Sequence, residues 1–196
     1  MIRLPHPGRK LYHFLGGLGL VALLYLLERP AALGTLLALL GLATAMDWMR
    51  IRIPAVGAWA QAHLGAFLRE QERYRFSGTP PYLLGALLAA WLYPRDAAAL
   101  AVAFLAAGDV AATTVGERFG RTRIGQKSLE GSLAFLVASL LAGVLLAGTG
   151  ASVPLAAVAA GAVTATLVEL LPLPVNDNLA VPVCSGGIVT LVHGWF

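Results

Sequence analysis

Asp109 stands inside an apolar run, Ala106-Ala107-Gly108-Asp109-Val110-Ala111-Ala112, and a polar, glycine-rich stretch from Gly116 to Gly131 follows it. An ionised aspartate at membrane depth costs several kcal/mol unless a cation, a metal or water meets it, so its presence argues for a function there. The stretch that follows supplies the cations Arg118, Arg121, Arg123 and Lys127. Gly116, Gly120 and Gly125 let a phosphate approach the backbone closely. Ser128 precedes the next apolar run and can cap it, which would aim helix N-terminal amides at a phosphate. The spacing Gly120-x4-Gly125-Gln126-Lys127-Ser128 nearly matches a Walker A loop, with one extra residue before the lysine. A P-loop follows a buried strand, whereas an apolar helix precedes this one, so the P-loop reading is rejected and only its phosphate chemistry is kept. An anionic-lipid tether would account for the cations but not for the glycines or Asp109.

Magnesium in phosphoryl-transfer sites is held by one or two carboxylates, with positions left for phosphate oxygens. Asp177 is the natural companion of Asp109. It lies in Glu169-Leu170-Leu171-Pro172-Leu173-Pro174-Val175-Asn176-Asp177-Asn178, where the prolines should end one helix and Asn176 and Asn178 should cap the next. Three roles are open to Glu169: metal ligand, general base or partner of an arginine. Asp47 and Arg50 are spaced as a local ion pair. His63 and His193 read as structural, and no His/Cys cluster has zinc spacing.

These residues must be positioned by membrane helices. With 58% hydrophobic and 12% charged residues, against a usual charged share of about 25%, the chain cannot clothe a soluble globule. A net charge of +4 is too small and too localised for a nucleic-acid binder, and the single cysteine, Cys184, excludes an internal disulfide. About twenty apolar residues cross a bilayer. That ruler places spans near 11–28, 30–48, 80–94, 96–114, 129–148, 152–172 and 178–195, in an all-α, polytopic chain of about seven transmembrane helices forming one domain over 1–196. The first reads as a retained span and not a cleaved signal peptide. Within 50–76, Trp59, His63 and Phe67 recur at helical spacing with polar residues between, which predicts an amphipathic helix at the cytosolic interface. The run Arg69-Glu70-Gln71-Glu72-Arg73 reads as a solvated helix face, apart from Glu72. If the N-terminus is cytosolic, alternation puts Arg29 and Arg95 outside and the other twelve cations inside, together with every polar cluster.

The motifs have a family likeness. Arg9-Lys10-x-x-His13, Arg69-x-x-Glu72 with Gly78-Thr79, Gly108-Asp109-x-x-Ala112-x3-Gly116-x2-Phe119-Gly120, Lys127-Ser128-x-Glu130-Gly131-Ser132 and Glu169-x-x-Pro172 with Asn176-Asp177-Asn178-Leu179-x-Val181-Pro182 together resemble the CTP-dependent lipid kinases. That family includes dolichol kinase, phytol kinase and the yeast-type diacylglycerol kinase, and it is distantly similar to phosphatidate cytidylyltransferase. The resemblance implies transfer of the terminal phosphoryl group of CTP to a lipid alcohol (polyprenol or dolichol, phytol-type or diacylglycerol) with release of CDP. The alternatives are a cytidylyltransferase forming a CDP-lipid and a non-enzymatic carrier. The C-terminal Pro-Gly-His-Gly block of the cytidylyltransferases is absent, which counts against the first.

Carried over by position, the resemblance makes Asp109, Lys127, Glu130, Glu169 and Asp177 catalytic, with Asp109 and Asp177 on Mg2+ or another divalent cation. Nucleotide contacts are expected from Arg9, Lys10, Gly116, Arg118, Gly120, Arg121, Arg123, Lys127, Ser128, Gly131 and Asn178, and acceptor contacts from His13, Glu72 and Thr79. Glu169 and Glu72 are the candidates for the base. The expected partners are CTP, the lipid alcohol and membrane lipids, without nucleic acid. The small residues Gly143, Ala147, Gly150 and Ala157, Gly161, Ala165 permit close packing within a chain or in a homodimer. The short chain suggests a prokaryotic cell membrane, with the N-terminus and site loops cytosolic.

Overall fold

The computed structural model describes residues 7–67, 72, 74–151 and 153–194. Among these are eight α-helices: α1 (Pro7–Leu26), α2 (Arg29–Arg52), α3 (Pro54–Leu64), α4 (Thr79–Leu92), α5 (Arg95–Phe119), α6 (Leu129–Gly148), α7 (Leu155–Leu170) and α8 (Asp177–His193). Prolines in the first turn open α2, α3 and α4, where a missing N–H costs nothing. Ser128 caps α6 by accepting from Gly131 N at 3.1 Å, and Asn176 caps α8 by accepting from Asn178 N at 3.0 Å. As anticipated, α7 stops just before Pro172 and Pro174.

Helix α5 is the hub and packs against α1, α4, α6, α7 and α8. Every residue from Ala97 to Ala106 is buried, and the alanines keep the helix thin enough for neighbours on all sides. Phe104 of α5 and Phe135 of α6 are the largest fully buried side chains in the core.

Among the described residues three helices, α2, α5 and α6, are long and apolar enough to cross a membrane. The apolar α4 and α7 have 14 and 16 residues, or about 21 and 24 Å at 1.5 Å per residue, less than a hydrocarbon core of about 30 Å. The bundle is therefore that of a helical membrane protein. Two groups of contacts mark the opposite ends of the bundle. Arg29 donates to the carbonyl of Trp91, Arg95 donates to the carbonyl of Leu27 at 3.2 Å, and Tyr25 donates to Asp96 at 3.0 Å, all at one end. The Lys10–Glu117 and Lys127–Asp177 pairs lie at the other.

Two local expectations need correction. The interfacial helix is shorter than 50–76: α2 extends to Arg52, Pro54 starts α3, and a 3-10 turn, Gly65–Phe67, ends it. The charged face at Arg69, Glu70, Gln71 and Arg73, like Arg3 in the charge count, lies outside the described residues. The basic loop is also not purely irregular. Strand β1 (Arg123–Ile124) pairs antiparallel with β2 (Lys127–Ser128) across a Gly125-Gln126 turn, where Gly125 has a φ of 61°, a value suited to glycine.

Candidate active site

The hairpin places one cation between two helix ends. Lys127 Nζ donates to Asp177 Oδ2 at 2.7 Å, in the first turn of α8, and lies 3.4 Å from Glu169 Oε1 on the last turn of α7. Ser132 Oγ, one turn into α6, donates to Glu169 Oε2 at 3.2 Å. Glu169 is buried, so the lysine and the serine hydroxyl are what make a carboxylate tolerable there. The cation beside Glu169 is Lys127, where an arginine was the partner considered.

Gly116, Gly120 and Gly131 crowd around the Ser128 hydroxyl. A Cβ on Gly116 or Gly131 would stand 3.0 Å from Oγ, and one on Gly120 would stand 2.7 Å from it. These glycines let α5, the hairpin and the start of α6 close on one another, so they serve packing. Gly125, with open space around it, is the glycine whose backbone remains approachable.

Three cavities run in sequence across this end of the molecule. The first, about 550 Å³, is mixed in character; Gly116, Glu117, Arg123, Lys127, Ser128 and Glu169 are on its wall. The second, about 400 Å³, shares Gly125, Gln126 and Lys127 with the first and is bounded by Arg9, Glu72, Asp109, Asp177 and Asn178. The third, about 380 Å³, is largely apolar and shares Arg9, Glu72, Ser77, Gly78 and Asn178 with the second. A polar trough thus leads past Lys127 into an apolar pocket.

The structure gathers most of the anticipated residues here. Asp109 and Asp177 line the same cavity. Asp109 Oδ2 is 3.8 Å from His13 Nε2, and the buried His13 ring stacks on Tyr82 with centroids 4.3 Å apart. Glu72 accepts from Gly78 N at 3.1 Å, Thr79 lines the apolar pocket beside Tyr12, and Asn178 Nδ2 donates to the Gly78 carbonyl at 3.0 Å. Asn178 therefore ties α8 to the start of α4; of the two asparagines it is Asn176 that caps.

Other anticipated residues have structural partners. Lys10 pairs with Glu117 at 2.5 Å and joins α1 to α5. Arg118 lies over its neighbour Phe119, and both Arg118 and Arg121 are exposed and line none of the three cavities. Glu130 accepts from Thr122 N at 3.1 Å, bracing the hairpin instead of facing the trough.

Sequence reasoning quoted Ser132 in a motif without giving it a role, and passed over Glu117, Tyr82 and the reach of Arg50. The Asp47–Arg50 pair forms as expected, at 2.8 Å, but it is buried and does more. Asp47 accepts from Ser77 N at 2.7 Å, and Arg50 donates to the carbonyls of Glu72 and Arg75 at 2.6 and 2.9 Å. It therefore shapes the segment that separates trough from pocket. An i,i+3 ion pair in an otherwise apolar helix was the available signal.

A divalent cation fits these donors in one way. Among the described residues no three His, Cys, Asp or Glu side chains converge on a common point. Of the three carboxylates that line one cavity, Glu72, Asp109 and Asp177, Glu72 is engaged with Gly78 N, and Asp109 and Asp177 match the sparse protein ligation of a magnesium ion that arrives with phosphate oxygens. The donor set suits a nucleotide-borne ion better than a resident one.

Fold and site together define a helical membrane protein with a lysine–carboxylate centre between a polar trough and an apolar pocket at one end of the bundle. The comparisons with known proteins then point to a family. The chain is 33% identical over 99 residues to a CTP-dependent diacylglycerol kinase 1 of Eremothecium gossypii, a match covering 49% of this chain and 31% of the relative. It is 31% identical over 94 residues to a CTP-dependent diacylglycerol kinase 1 of Schizosaccharomyces pombe, covering 46% and 43%. The matched stretch is under half the length of each relative. No family model and no solved structure matches. The relatives support the CTP-dependent lipid kinase family that the motifs resemble.

Proposed function

We propose that this protein transfers the terminal phosphoryl group of CTP to the hydroxyl of a membrane lipid alcohol and releases CDP. The observation that carries the reading is the continuous path from a polar, cation-bearing trough, past Lys127, into an apolar pocket. A reaction between a water-soluble nucleotide and a lipid needs both ends. The relatives' names supply the donor and the acceptor class.

In this reading the triphosphate lies along the hairpin, with Arg123, Lys127 and the backbone at Gly125 meeting its oxygens. Lys127 exchanges Asp177 and Glu169 for the transferring phosphoryl group and stabilises its charge, the main catalytic contribution in such reactions. Asp109 and the released Asp177 would hold a magnesium ion, which would supply charge neutralisation on the donor phosphates. The lipid oxygen attacks phosphorus as the bond to the CDP oxygen breaks, and the hydroxyl proton passes to a carboxylate. Glu72 suits that task better than Glu169, because it borders both the trough and the pocket while Glu169 is buried beside Lys127 and Ser132. Seven membrane crossings, with α4 and α7 as short spans, put the trough on the cytosolic side, where CTP is.

The test is the nucleotide product of the purified protein with CTP and magnesium, assayed on diacylglycerol, phytol and a polyprenol. CDP with a phosphorylated alcohol supports the kinase. Pyrophosphate with a CDP-lipid would replace it by a cytidylyltransferase, and no turnover on any acceptor would remove it.

A further inference from the structure

The apolar pocket has a floor, walls and a polar mouth that the lysine–carboxylate centre does not require. Its floor is formed by His13, Tyr82 and Ala60, which are 8%, 5% and 4% exposed. Its walls include Met46, Trp59 and Phe67, which are 48%, 55% and 42% exposed although apolar. Its mouth is the Glu72, Gly78 and Asn178 edge shared with the trough. A buried floor under exposed apolar walls is an open groove, not a closed core void. The polar mouth fixes which end of an occupant faces the phosphates.

From this geometry we infer that the pocket between α1, α2, α3 and α4 is the acceptor subsite, holding the hydroxyl-proximal part of one neutral lipid alcohol, with Ala60 limiting its depth. The inference rests on the kinase reading for the direction of the hydroxyl. At 380 Å³, and roughly 30 Å³ for a water-sized group, the pocket takes about a dozen heavy atoms. The rest of a long lipid must leave over Trp59 and Phe67 into the bilayer. The subsite should therefore discriminate by the shape of the first dozen atoms and tolerate variation in chain length beyond them. A glyceride and an isoprenoid alcohol present different shapes in just that region, and both are neutral alcohols, so the experiment carries an arm for each.

Two measurements test it. In the wild-type protein in vesicles, a diacylglycerol and a prenol, each bearing a diazirine within a few bonds of the oxygen-bearing end, are photoactivated and the labelled peptides mapped. Label within residues 43–64 from at least one probe is expected, and the probe that labels identifies the acceptor class. Separately, Ala60→Phe should raise the KM for that acceptor at least tenfold, as expected when a side chain's worth of pocket is removed, with the KM for CTP unchanged. The unchanged CTP value shows that the variant is folded, and Trp59→Ala, which opens the wall without filling the floor, provides a second variant. Label confined to the outward faces of α6 and α7, with an unaltered acceptor KM in Ala60→Phe, would overturn the subsite. Label in the pocket of a protein that releases no CDP would support the subsite and remove the kinase.

Discussion

Lys127 donates to Asp177 and lies beside Glu169, so its removal withdraws a cation from two carboxylates, one of them buried. Structural and catalytic contributions can be separated here. Lys127→Met should lower kcat/KM by about 10² or more, the usual loss for a group that stabilises transition-state charge, and should also lower the melting temperature. Adding Glu169→Gln should restore the melting temperature without restoring turnover, because the neutral amide no longer needs a cation; a double variant that recovers activity would remove Lys127 from the chemistry. Asp109→Asn should abolish CDP release while the protein stays monodisperse in detergent, and near-normal activity would remove the metal assignment. At Ser128 the effect is conformational: Ser128→Ala removes the α6 cap and should cost about 1 kcal/mol in a reversible unfolding measurement.

At the scale of elements, packing against α5 sets the tolerances. A Cβ on Gly108 would meet the ring of the fully buried Phe135 at 2.6 Å, whereas one on Gly16 in α1 would meet nothing within 4 Å. Gly108→Ala should destabilise the bundle by about 1–3 kcal/mol. Gly16→Ala should leave stability unchanged or raise it by up to about 1 kcal/mol, and unfolding of the two variants side by side checks the contrast. The Asp47–Arg50 pair is an element-scale device as well, because its remaining hydrogen bonds organise the segment before α4. Arg50→Met leaves Asp47 buried without its partner and should cost about 3 kcal/mol in the same assay.

For the whole molecule, the alternation of helix direction is the property on which the proposed reaction depends, since in that reading CTP reaches one end and lipid the side. In a Cys184→Ser background, Arg118→Cys and Glu28→Cys place single exposed thiols at opposite ends. In intact cells a membrane-impermeant maleimide should label the cysteine at 28 and leave that at 118 unlabelled until the membrane is opened. Labelling of both, or of 118 alone, would overturn the cytosolic placement of the trough.

Helix positions were legible because apolar length and proline placement act locally: the predicted start of α6 at 129 and the stop before Pro172 both match, and Ser128 and Asn176 cap as their types require. The charge pattern likewise foretold which helix ends gather, since charged groups are excluded from hydrocarbon wherever they occur in a chain. The partners of the charged groups were not legible. Lys127 meets Asp177 fifty residues away, Glu169 finds a lysine, Lys10 is taken by Glu117, and Arg50 reaches the carbonyls of a distant segment. Residue types and spacing determined that acidic and basic groups would meet at one end of a helical bundle. Which of them pair, which glycines close the packing, and where an apolar pocket opens beside a polar trough depended on how α5 orders its neighbours, because a pairing across helices is set by the crossing of whole elements and leaves no periodic trace in either one.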